Sequence, residues 1–329
     1  MTKKKAVRIL IAALLAMAVA LPQTGAEKYI VHMVCMSLIW VIMTQGLNVI
    51  QGYTGYVSIA QSSFFGIGAY TSALLMLKGD VPFLIAAPLG IVFSIVAGVV
   101  IGYPSLKTKG HYFSIITLAF CFVIWSLMIT LKDLTGGSAG TPNIPSPPSI
   151  FGIDFSVTQN YYYLLLIFTV LSILFVYRLM RTKYGRSLIV IRENEQLAQA
   201  VGISLAKNKL LAFVISSAMG GLAGVLYAHY MHFINPVPFS AEYSMNAILA
   251  IVMGGSGTIA GPVIGSFILT FLPEYLRLAE SFRLIIYAGL LVIITIFMPR
   301  GIVHVFSVAA ERIRRRVARK PVEQGEPTE

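Results

Sequence analysis

Residues 242–272 read EYSMNAILAIVMGGSGTIAGPVIGSFILTFL. The stretch is apolar enough for a membrane, yet GGSGT at 254–258 interrupts it. One unbroken helix would carry the chain once across a bilayer. Two short helices, or a re-entrant hairpin turning at the glycines, would return it to the side it left. Glycine reaches the backbone conformations a tight turn needs, and irregular backbone at membrane depth is tolerated where protein buries it. The choice decides the topology of the whole chain, because charged segments lie on both sides of this stretch.

Working outward, apolar runs recur near residues 6–22, 28–50, 56–77, 81–102, 111–131, 160–180, 208–231 and 283–299. A spanning helix needs roughly 20 such residues to cross the hydrocarbon. The chain has 329 residues, 57% hydrophobic and only 12% charged, against about 25% charged in soluble domains. These features predict an all-α integral membrane protein.

The net charge of +12 does not indicate nucleic acid. The lysines and arginines cluster before the first run (Lys3, Lys4, Lys5, Arg8), at Lys107 and Lys109, through 178–209, and from Arg300 to Lys320. Placing all four segments on the cytoplasmic side gives a positive-inside bias. With the N-terminus inside, seven spans lead to an outer loop near 232–241. A single helix over 242–272 would then strand the tail ERIRRRVARK (311–320) outside. Two short segments restore the parity, so about ten transmembrane or re-entrant helices are expected, with both termini cytoplasmic. The expected divisions are an N-terminal helix in 1–27, signal-like but retained, a membrane body over 28–300 with a cytoplasmic loop at 181–208, and a basic tail over 301–329.

Absences narrow the function. Every acidic residue lies in a loop, at a span end or in the tail. Mid-membrane ionisable groups usually mark ion or proton pathways, so a proton-driven carrier is disfavoured. A sodium-coupled carrier could still use backbone carbonyls. His229 and His232 share a helical face, but no third ligand is near in sequence, and packing is the favoured reading. No catalytic residue, metal site or cofactor is assigned. The Gly-Lys pair of a phosphate-binding loop occurs nowhere, so any ATP must be handled by another polypeptide. Cys35 and Cys121 fall inside spans and read as buried thiols.

Two stretches break the aliphatic pattern. Gly257, Gly261 and Gly265 recur every four residues and read as a helical stripe for close packing, as do Gly220 with Gly224 and Gly98 with Gly102. NVIQGYTGYVSIAQSSFFGIGAYTSALL (48–75) is more polar than packing requires. Asn48, Tyr53, Thr54, Ser58, Gln61, Ser62 and Ser63 would suit a translocation pathway for a small polar solute, or hydrogen bonds between helices. Between spans, residues 132–160 are rich in Gly, Pro and Ser, consistent with a structured cap or a plain linker.

A third polar stretch, RSLIVIRENEQLAQAVGISLAKNKL (186–210), is too polar to enter the bilayer. A helix over about 191–201 would gather Ile191, Leu197, Ala198 and Val201 on one side, with Gly202 as its stop. It could lie on the membrane surface or fit a groove in a cytoplasmic partner.

GYTGYVSIAQSSFFGIGAYTSALL, KTKGHYFSIITLAF (107–120), LTGGSAGTPNIPSP (134–147), IRENEQLAQAVGIS (191–204), KLLAFVISSAMGGLAGVLYAHY (209–230), GGSGTIAGPVIG (254–265) and LPEYLR (272–277) together resemble the permease subunits of branched-chain amino acid ABC transporters, of the LivM type. The resemblance covers roughly residues 40–300. It implies the ABC importer permease fold, with an inverted repeat that the sequence itself does not display. It implies a bacterial cytoplasmic (inner) membrane, two ATP-binding subunits, a second related permease as heterodimer partner, and an extracytoplasmic substrate-binding protein. It assigns Arg192, Glu193, Asn194, Glu195, Ala198, Ala200 and Gly202 to a helix coupled to the ATPase. The implied cargo is branched-chain or other small amino acids. Relatives often carry Gly-His where this chain has Ala60-Gln61, which leaves urea or short amides as an alternative cargo. An autonomous carrier or channel is the competing class.

Overall fold

The computed structural model describes residues 16–23, 27–108, 110–149, 152–275, 289 and 301–303. Helix α1 runs Lys28–Leu47 and continues through a π-helical turn at Asn48–Gly52. It is followed by α2 (Gln61–Gly79), α3 (Phe83–Ser105), α4 (His111–Thr130) and α5 (Thr158–Arg181). Two short helices, α6 (Lys183–Glu193) and α7 (Glu195–Ala200), lead into the long α8 (Leu205–Met231). Helices α9 (Ala241–Gly254) and α10 (Ala260–Tyr275) complete the described body. No strand is present among the described residues, only an isolated antiparallel bridge between Thr141 and Ile234.

The 242–272 stretch is therefore two helices with a turn between them. At about 1.5 Å per residue they reach only about 21 and 24 Å. Gly255 and Gly257 take positive φ (127° and 74°) in the turn, and the Thr258 hydroxyl donates to the Gly255 carbonyl and accepts from Gly261 N–H. The expected glycine stripe is corrected here. Gly257 lies in the turn, so only Gly261 and Gly265 sit on a helix. A methyl group on Gly265 would collide with the Ala250 carbonyl oxygen, and one on Gly261 with that of Gly255.

The first span ends later than expected and the next begins later. Gly55, at φ +80°, closes α1 by donating to the Gln51 carbonyl at 3.1 Å. Residues 55–60 are then non-helical, so α2 starts at Gln61 and not at 56. The expected spans at 283–299 and most of 6–22, and the basic tail, lie outside the described residues.

Helix α8 is the pillar, packing on α1, α2 and α3. Small residues allow this. A side chain on Gly224 would strike the Phe65 carbonyl, and one on Gly68 the backbone of Gly221. Gly98 faces Ser217 and Gly102 faces Phe213 in the same way. The most apolar window of α1 is 78% buried, against 22% in α3 and α4. Among the described residues five helices, α1 with its π turn, α3, α4, α5 and α8, are long and apolar enough to cross a membrane. Cys35 and Cys121 are buried free thiols.

Candidate coupling site and polar seam

One face of the bundle collects the end of α1, the 55–60 link, the end of α3, the start of α8 and the α9–α10 turn, with α6 and α7 laid against them. The single helix expected over 191–201 is broken at Asn194. That residue is extended (φ −159°, ψ 112°) and its side chain accepts from Leu197 N–H at 3.0 Å, making it the N-cap of α7. Asparagine favours such caps because its short side chain supplies the missing acceptor. At the other end Gly202 (φ +82°) donates to the Gln199 carbonyl, and Ile203 to that of Ala198. This pair of bonds is the glycine-terminated helix ending. The result is a helix of only six residues.

The break also changes which residues share a side. Ile191 and Ala198 are buried, whereas Leu197 and Val201 are 58% and 64% exposed. Two apolar side chains thus face away from the body on its most polar segment.

Arg192 and Glu195 turn inward. Arg192 Nη1 donates to the Gly52 carbonyl at 2.6 Å, and its guanidinium lies where a side chain on Gly257 would be. Glu195 Oε1 accepts from Lys209 Nζ at 2.8 Å and from the Tyr56 hydroxyl at 2.5 Å. Lys209 also donates to the Tyr56 oxygen and lies 4.2 Å from the centre of its ring. Lys209 is only 4% exposed. A buried ammonium persists where a carboxylate and further acceptors surround it. Glu193, Asn194 and Ala200 are exposed and Ala198 is enclosed.

Asn48 extends this bracing into the bundle. Its amide donates to the Thr258 carbonyl at 2.8 Å, while its Oδ1 accepts from Gly257 N–H at 3.0 Å. Gln45 donates to the Ile259 carbonyl at 2.7 Å, and the Thr44 and Ser266 hydroxyls meet at 2.8 Å. The α9–α10 turn is thereby fastened to α1 by amide side chains.

The other pathway candidates are buried as well. Gln61 donates to the carbonyls of Met43 (3.0 Å) and Ser216 (3.3 Å) and accepts from the Ser216 hydroxyl at 2.9 Å. Ser244 donates to the Ser62 hydroxyl at 2.7 Å and accepts from Ser62 N–H at 2.8 Å, while Ser62 also meets the Cys121 thiol at 3.3 Å. Thr54 bonds the Ile50 carbonyl and Ser58 accepts from Ala60 N–H. Tyr53 is buried, and the Ser63 and Tyr70 hydroxyls are buried without a partner. In this conformation the polar residues form a seam joining α1, α2, α4, α8 and α9.

Tyr56, Lys209, Gln45, Ser216 and Ser244 are the residues that sequence reasoning missed. Tyr56 and Glu195 are 139 positions apart, a distance that helical periodicity does not register. Lys209 was legible only as one more positive charge.

On the opposite face, His229 Nδ1 donates to the Pro145 carbonyl at 2.8 Å and His232 Nδ1 to that of Ile144 at 2.9 Å. The bridge between Thr141 and Ile234 adds bonds of 2.7 and 3.1 Å. The histidine pair thus fastens the Gly/Pro-rich loop to the end of α8.

This fold and site define a polytopic helical membrane protein with two short surface helices, α6 and α7, braced against α1, the 55–60 link and α8. A family profile described as the permease component of branched-chain amino acid transport systems matches residues 29–295, and the chain belongs to that family. It is similar to the high-affinity branched-chain amino acid transport permease LivM of Escherichia coli K12, 30% identical over 90% of this chain and 74% of the relative. LivM of Salmonella typhimurium is 31% identical over the same shares. LivH of E. coli K12 is 25% identical, covering 80% of this chain and 90% of its own. No solved structure matches the chain significantly.

Proposed function

We propose that the chain is one membrane-spanning subunit of an ATP-driven importer of branched-chain or other small amino acids. Residues 28–300 form the permease body and 301–329 a cytoplasmic tail. Two separate ATP-binding subunits hydrolyse the nucleotide, a related permease completes the pathway, and an extracytoplasmic binding protein delivers the cargo. The α7 face is cytoplasmic, in accord with the positive-inside bias, and the membrane is the bacterial inner membrane.

The observation that carries this reading is the two-sided character of α7. Leu197 and Val201 face outward, while Arg192 at the end of α6 and Glu195 at the start of α7 tie this corner to α1, the 55–60 link and α8. A partner that grips the apolar side would move these three segments together. Similarity to both LivM and LivH proteins supports a partner permease of related sequence.

The test is reconstitution in vesicles. The chain alone should not accumulate leucine under any ion gradient, and uptake should appear when the ATPases, second permease and binding protein are added with ATP. Leu197→Arg with Val201→Arg should cut that uptake at least tenfold with little change in insertion. Accumulation by the chain alone would favour an autonomous carrier.

A further inference from the structure

Beside α7, a cavity of about 620 Å³ opens between the end of α3 and the first turn of α8. Its walls are largely apolar and its charges are uneven. Glu195 and Lys209 reach it as a pair whose charges cancel. Lys107 and Lys207 remain, both exposed and both on its lining. Lys107 holds its ammonium 4.4 Å from the centre of the Tyr103 ring. Ser204, also on the lining, makes no side-chain cap to α8.

The surface next to this cavity is apolar and exposed. Val92, Val96, Val99 and Tyr103 are all exposed, and their spacing places them on one stripe of α3. The stripe ends at Tyr103, where a tyrosine suits the membrane–water boundary. An apolar strip that runs into a two-lysine recess fits a molecule with an apolar tail and an anionic head. Basic pockets between membrane helices near the cytoplasmic surface take such headgroups. A soluble protein segment would match the recess but would not reach along the strip.

We propose that this groove holds one anionic phospholipid, its phosphate between Lys107 and Lys207 and an acyl chain along the α3 stripe. The site abuts Glu195, so an occupied groove would buttress α7. The proposal rests on the orientation given above, with the α7 face cytoplasmic.

The test is native mass spectrometry of the assembled complex taken from bilayers of phosphatidylglycerol and phosphatidylcholine. Wild type should retain phosphatidylglycerol in preference to phosphatidylcholine. Lys107→Gln with Lys207→Gln should lower that preference about 25-fold, about fivefold per lysine, whereas Lys132→Gln on the far face should leave it unchanged. Four results would overturn the proposal: equal retention by the double variant, no preference for the anionic lipid, displacement by excess inorganic phosphate, or retention only when the ATP-binding subunits are absent. The last would make the groove part of the ATPase interface. Lipid retention is read without transport, so its failure leaves the transport reading standing, and loss of uptake with lipid retained counts against transport alone.

Discussion

The two faces of the bundle fasten their loops by different chemistry. On the α7 face the ties are charged side chains: Arg192 on a carbonyl, and Glu195 between Lys209 and Tyr56. On the far face the acceptors are backbone carbonyls, held by two histidines, by the Lys78 ammonium on Asp133 and Leu134, and by a short bridge between chain segments. The charged ties converge on the corner between α6 and α7 and join segments remote in sequence. The far-face ties hold one loop to the ends of α2 and α8. A face built the first way can pass a displacement from a small element into several large ones. A face built the second way keeps a cap in place.

The contrast breaks most sharply at the ion pair. Glu195→Ala would leave Lys209 buried beside Tyr56 alone, at a cost of about 3 kcal/mol. Lys209→Met added to it should recover most of the loss, because no uncompensated charge remains. Thermal unfolding of both variants in detergent checks this, and a double variant no better than the single would refute it. Next is Gly224→Ala, where the added methyl meets the Phe65 carbonyl. Overpacking of this kind costs about 2 kcal/mol and should lower the melting temperature of the complex.

Asn194→Ala removes only a cap, for about 1 kcal/mol. Its mark should be faster proteolysis near residue 194, with the rest of the chain protected. His232→Ala should have the smallest effect, about 0.5–1 kcal/mol for one lost hydrogen bond. It should speed cleavage within 136–157 while ATP-driven uptake persists. If His232→Ala disturbed uptake as much as Glu195→Ala, the functional contrast between the faces would vanish.

Local chemistry made part of this legible in the sequence. The turn at GGSGT was readable because its glycines interrupt an apolar run, and the 186–210 stretch because it is too polar for lipid. Asn194 was less readable, since an asparagine inside a helical pattern does not announce whether it caps or continues. The late start of α2 escaped for the opposite reason: residues 55–60 are apolar enough to pass as helix. The seven polar residues of 48–63 were legible as unusual, but the partners of Gln61, Ser62 and Asn48 on α8, α9 and the α9–α10 turn lie some 150–210 positions away. Tertiary pairing at such range is set by the fold, and a single sequence carries no periodic trace of it.

The central claim is that motion enters through α7 and reaches the membrane segments through Arg192 and Glu195. The most direct measurement is the ratio of leucine imported to ATP hydrolysed by the complete reconstituted system carrying Arg192→Met. The account predicts continued hydrolysis with that ratio reduced at least tenfold, because α7 stays gripped while the adjoining end of α6 loses its hold on Gly52. An unchanged ratio would contradict it.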